Sequence, residues 1–126
     1  MAVTHSVEAR NAATDAVTAL IGSGGYLRFR PAGSPNGPAA SLALSGTPFG
    51  SSSNGTATAN SISSDTSAAG SNDPVAVATI EKSDGNVVIQ CGVAASGDDI
   101  DMSNGLTVAP GDTVSCSSLT YTALPA

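Results

Sequence analysis

Residues 75–95 read VAVATIE, KSDGN and VVIQCGVAA, and this stretch decides the fold class. Val75–Glu81 and Val87–Ala95 flank Ser83-Asp84-Gly85-Asn86, and an Asp-Gly pair between two such arms is a strong hairpin signal. Alternation places Val87, Ile89, Cys91 and Val93 on one face of the second arm. The stretch predicts an antiparallel hairpin with one face in a core.

Shorter segments of the same kind extend it in both directions. Downstream, Ile100 and Met102 suggest a short strand and Leu106–Val108 another, followed by a Pro110-Gly111-Asp112 turn. Thr113–Ala123 reads as the final strand. Its apolar phase shifts from Val114 and Cys116 to Leu119, Tyr121 and Ala123, which predicts a bulge near Ser117-Ser118. Upstream, Tyr26–Arg30 puts Leu27 and Phe29 on one face and Tyr26, Arg28 and Arg30 on the other, a half-buried strand with an exposed arginine face. The prolines and glycines of residues 31–38 make a loop. Ala39–Ser45 and Gly55–Ser64 are two further strands, the latter at an edge. About eight short strands punctuated by Gly and Pro predict an antiparallel β-sandwich or small barrel, jelly-roll-like in character.

The N-terminal segment has a different period. Ala9, Ala12, Ala13, Ala16, Val17 and Leu20 form one apolar stripe at helical spacing across Ser6–Ile21. Thr4 or Ser6 can cap the start, Glu8 suits the positive end of the dipole, and Gly22 stands where a left-handed residue ends a helix. A helix this short is marginal alone in water and must dock, and the alanine stripe is the face expected to do so. One compact domain follows, with residues 1–24 as arm and helix and residues 25–126 as the β-sandwich.

Composition bounds the function. Of the 126 residues, 66 are Ala, Gly, Ser or Thr, so the core is thin, while a net charge of −6 is too small to force disorder. Three Arg and one Lys cannot build a phosphate-neutralising surface, so nucleic acid is not an expected partner. No apolar run approaches the roughly 20 residues that a membrane span needs. The N-terminus lacks the pattern of a secretory signal, which favours reduced thiols.

Four groups could carry chemistry, and each has a simpler structural reading. Asp98, Asp99 and Asp101, with Ser103 and Asn104, offer alternating oxygen ligands for Ca²⁺, but the spacing lacks the Gly and Glu of an EF-hand, and a solvated turn accounts for them. Cys91 and Cys116 sit on apolar strand faces, where free thiols are expected buried and unbonded; a nucleophilic role lacks a nearby His. Gly22-Ser23-Gly24-Gly25 follows a helix and precedes a strand, the reverse of a phosphate-binding loop, so it reads as a cap and turn. His5 lies in the N-terminal arm. No catalytic residue, cofactor or metal is expected, and the chain is not expected to be an enzyme.

Two segments resemble a known family. Arg10-Asn11-Ala12, Asp15-Ala16, Ala19-Leu20-Ile21 and Gly25-Tyr26-Leu27-Arg28 resemble the opening of small tailed-bacteriophage virion proteins, in which an N-terminal helix ends in Gly and runs into a Leu-Arg strand. Asp84-Gly85, Val88, Gly92, Ser96-Gly97 and Asp99, then Pro110-Gly111-Asp112-Thr113-Val114, are similar to the same family's hairpin and closing strand. Phe29-Arg30-Pro31-Ala32 departs from it, standing where an aromatic-Asp-Gly turn is expected. The resemblance implies a structural virion protein, assembled in the host cytoplasm, of the capsid decoration or cement kind. Its implied partners are the major capsid protein or other virion proteins, and copies of itself in a homo-oligomer. The alternative is a tail- or fibre-associated adaptor or carbohydrate-binding module, which the scarcity of aromatic residues disfavours. The helix stripe and Arg28 and Arg30 are the expected interface.

Overall fold

A computed structural model describes residues 3–31, 37–71, 73–102 and 105–124. The chain is mainly β, with one N-terminal helix and a five-stranded sheet that curls as a half-barrel. Helix α1 spans Val7–Ala19, and Ser6 caps it by accepting a hydrogen bond from the Ala9 amide at 3.1 Å. Gly22 follows with φ +65°, the left-handed conformation that a side chain would resist.

Strands β1 (Tyr26–Pro31), β2 (Ala40–Ala43), β3 (Thr56–Thr58), β4 (Val75–Glu81), β5 (Val87–Ala94), β6 (Ile100–Asp101) and β7 (Thr120–Thr122) follow. The main sheet has the order β2-β1-β4-β5-β6, and β3 and β7 form a separate antiparallel ribbon. The β4–β5 hairpin forms where the sequence places it, pairing Val77 with Gly92, Thr79 with Gln90 and Ile80 with Ile89. Leu27 and Phe29 of β1, Leu42 of β2 and Ala78 and Ile80 of β4 are all buried. They meet Phe49, Ala57, Ala68, Val108 and Leu119 from the ribbon and loops in one apolar cluster. That burial is the main stabilising term, at about 25 cal/mol per Å² of apolar surface.

The outer edge of β2 is occupied by the chain itself. The Ser41 amide donates to the Asp65 carboxylate at 2.9 Å, Ser63 donates to the Ala43 carbonyl at 2.9 Å, and Leu44 bridges Ile62. Four elements depart from expectation, the first being the Gly55–Ser64 strand, which shortens to β3 and pairs with β7 outside the main sheet. Strand β6 pairs with β5 in parallel, Val93 with Ile100, rather than antiparallel. Leu106–Val108 is not a strand, although the Leu106 and Val108 carbonyls accept from Val75 and Ser71 at 2.8 and 2.9 Å. The expected Thr113–Ala123 strand shortens to β7 plus a bridge from Val114 to Asp65, with residues 115–119 between them breaking the ladder.

Candidate functional site

The helix docks with a face one residue out of phase from the alanine stripe. Thr14 and Thr18 are buried and Ile21 beyond them is buried, whereas Ala9, Ala12, Ala16 and Leu20 are exposed and Ala13 and Val17 only half-buried. Hydrogen bonds select that face. The Thr14 hydroxyl donates to the Gly55 carbonyl at 2.6 Å and accepts from the Ala123 amide at 3.1 Å. Asn11 Oδ1 accepts from the Gly55 amide at 2.7 Å, and the Asp15 carboxylate accepts from the Ser52 amide at 3.0 Å. Arg10 donates to the Asn54 carbonyl at 3.0 Å. Loop and ribbon ends carry backbone groups that must find partners. Short polar side chains supply them, and alanines cannot.

The arginine face of β1 is a partly buried ion cluster rather than an open strand face. Arg28 and Arg30 both pair with Glu81 of β4, at 2.8 and 2.7 Å. The Glu81 side chain is fully buried, while the two arginine side chains stay 26% and 30% exposed. The Thr79 hydroxyl also donates to Glu81, Arg28 Nε donates to the Ser41 hydroxyl at 3.2 Å, and the Arg28 guanidinium lies 4.5 Å from the Tyr26 ring centre. Burial pushes the Glu81 carboxyl upward, but hydrogen bonds from Thr79, Arg30 and Arg28 outweigh it and hold it below its ordinary range. Two cations over one buried anion leave this patch net positive on an acidic protein.

The acidic run builds a loop. Val93 and Ala94 pair in parallel with residues only seven positions on, Ile100 and Asp101, so the chain coils back within one short turn. Its carboxylates close the coil: Asp99 accepts from the Gly92 amide at 3.0 Å, Asp101 from the Asp98 amide at 3.1 Å, and Asp98 from the Asp99 amide at 2.7 Å. The Asp98 carboxylate fills the space where a side chain at position 92 would stand, so the coil needs Gly92. Among the described residues no three His, Cys, Asp or Glu side chains come together as a metal cage. Ser103 and Asn104 lie outside the described residues.

Cys91 and Cys116 are free and half-buried rather than fully buried. Burial pushes both thiols up, and at Cys91 the Asp99 and Asp98 charges add to it. Neither is poised as a thiolate nucleophile. Cys116 also lines a groove of about 580 Å³ that has Phe29 and Leu119 among its apolar walls and Asp101 and Asp112 among its polar ones. His5 is exposed and belongs to the N-terminal arm. No described helix is long and apolar enough to cross a membrane.

The sequence reading found the arginines and the acidic coil but missed Glu81, Asn11, Thr14 and Asp15. For Glu81 a signal existed: an acid ending the apolar run of β4, on the strand that β1 would have to join. For Thr14 there was none, because a buried threonine and a surface one look alike until the partner backbone is known. Neither a family model, nor a curated protein, nor a solved structure matches this chain.

Proposed function

We propose that the chain is a non-enzymatic structural subunit of a tailed-bacteriophage virion, a capsid decoration or cement protein that binds the outside of the head and stabilises it. The observation that carries this reading is the resemblance of its helix–strand opening and its Asp-Gly hairpin to small virion proteins of that kind. The helix supplies a contact surface suited to the role. With its polar face turned inward, α1 presents Ala9, Ala12, Ala16 and Leu20 outward, a low, smooth face that another backbone can approach closely. A subunit with a thin core gains stability from neighbours by mass action, and a shell offers them at high local concentration.

Quantitative mass spectrometry of purified particles tests it. A copy number comparable to that of the capsid subunit supports decoration. A handful of copies moves the protein to the tail, and absence from particles ends the virion reading.

A further inference from the structure

Ser53-Asn54-Gly55-Thr56 is a two-residue hairpin turn. The Ser53 amide donates to the Thr56 carbonyl at 2.8 Å, and the Thr56 amide to the Ser53 carbonyl at 3.0 Å. Asn54 and Gly55 both have left-handed backbone, with φ of 51° and 82°, the geometry that selects Asn-Gly in such turns. The pair that suits the turn is also chemically vulnerable. Asparagine is thermolabile, and Gly55 has no side chain to shield its nitrogen. That nitrogen can attack the Asn54 side-chain amide once the peptide between them turns.

Helix α1 holds this peptide at both ends. Arg10 donates to the Asn54 carbonyl at 3.0 Å, and Asn11 Oδ1 accepts from the Gly55 amide at 2.7 Å. Thr14 donates to the Gly55 carbonyl at 2.6 Å. The helix lies so close that a side chain at position 55 would begin 3.0 Å from Arg10 Cβ. Asn54 is exposed to water and Gly55 is buried, so the electrophile is free while the nucleophile is held. Rotating the peptide into the attacking position breaks the bonds to Arg10 and Asn11 together.

We propose that Asn54 is a modification site gated by the helix: it stays an amide while α1 is docked, deamidates when α1 lifts away, and thereafter keeps the helix from docking as before. The Gly55 nitrogen gives its proton to solvent base and bonds to Asn54 Cγ. The bond from Cγ to the amide nitrogen breaks, and ammonia leaves after taking a proton from water. Water then opens the five-membered imide at either carbonyl, leaving aspartate or isoaspartate. Isoaspartate adds one carbon to the main chain inside a two-residue turn, so the Gly55 amide and carbonyl no longer face Asn11 and Thr14 together. The step runs one way.

The inference is independent of the virion reading and is tested on the free chain in mildly alkaline buffer. Peptide mass spectrometry follows Asn54 separately from Asn36-Gly37 and Asn104-Gly105, which are also Asn-Gly pairs. In the folded parent Asn54 should deamidate at least about tenfold more slowly than in the same chain in urea. Asn11→Ala and Thr14→Val, each shown folded by circular dichroism, should speed the reaction at least about threefold. Glu81→Gln loosens the sheet rather than the helix and should leave Asn54 slow. The isoaspartate form, separated by ion exchange, should exchange its Ala123 amide, which bonds Thr14, faster than the parent. Equal rates in the folded and unfolded chain overturn the proposal, as do helix variants that leave the rate unchanged. Acceleration by Glu81→Gln as large as that by Asn11→Ala overturns it too, and unchanged exchange at Ala123 overturns the one-way step.

Discussion

Strand β1 meets its neighbours through Leu27 and Phe29, both buried in apolar surroundings, and helix α1 meets the β3–β7 ribbon through Asn11, Thr14 and Asp15, all hydrogen-bonded to backbone. The first attachment is non-directional and grows with buried area. The second is directional: its worth lies mostly in leaving no buried amide or carbonyl without a partner. A chain in which about half the residues are Ala, Gly, Ser or Thr has too little apolar surface to use the first means everywhere. Where side chains run short, this protein joins its parts through the main chain.

Removing apolar bulk from the sheet should have the largest effect. Leu27→Ala is expected to cost about 2–5 kcal/mol in urea unfolding, since the residue is fully buried and its neighbours in β2 and β4 cannot collapse into the space. A loss under 1 kcal/mol would mean that the sheet also depends chiefly on its main-chain bonds.

Glu81→Gln comes next, at about 1.5–3 kcal/mol, because two arginines lose the anion between them. Its pH signature is more specific than its size. The Glu81 carboxyl is held below its ordinary range in the folded chain, so the stabilisation is present at neutral pH and is lost as the pH falls through that lowered value. Acid unfolding of the parent should therefore include a component that the Gln variant lacks. Superimposable acid profiles would remove Glu81 as its source.

At the helix, Thr14→Val keeps the shape but strands the Gly55 carbonyl and the Ala123 amide, at about 1–2 kcal/mol. Hydrogen exchange at Gly55 and Ala123 should accelerate more than at Leu42. The smallest effect belongs to Ala16→Leu on the outward face, within about 0.5 kcal/mol in the isolated chain. Under the proposed virion role the same change should lower occupancy on particles, because bulk there holds a shell surface away. If Ala16→Leu instead destabilises the free protein as much as Thr14→Val, the assignment of inner and outer helix faces is wrong.

The two regions were unequally legible in the sequence for the same reason. Two-residue alternation is a direct record of burial, so β1 could be read to the residue. Strand β4 is buried at four consecutive positions, and in β5 Val87 is exposed although alternation places it with Ile89, so both could be read only as strands. In the helix, hydropathy ranks alanine as apolar and threonine as polar, and the stripe it finds lies about 100° from the face that docks. Alanine's weight in that stripe reflects its helix propensity as much as burial. The parallel pairing of β6 was out of reach because parallel neighbours normally need a connection of a dozen residues or more. Here aspartates at 98, 99 and 101 close a shorter one by bonding amides within the coil and at Gly92. The arginine face could be placed on its strand, but its neutralising partner lies some fifty residues away, on a strand whose register the local pattern does not fix.

The occupied outer edge of β2 has a consequence for crowding. An open strand edge offers unpaired amides and carbonyls to any other chain, and at high concentration it seeds fibrils. Here the Ser41 amide is engaged by Asp65 and the Ala43 carbonyl by Ser63, while the acidic coil lies against the far end of β5. Growth of the sheet by an incoming strand is blocked along β2 before two molecules meet. A polypeptide whose β2 edge is closed in this way can be stored or concentrated without its sheet growing through that edge.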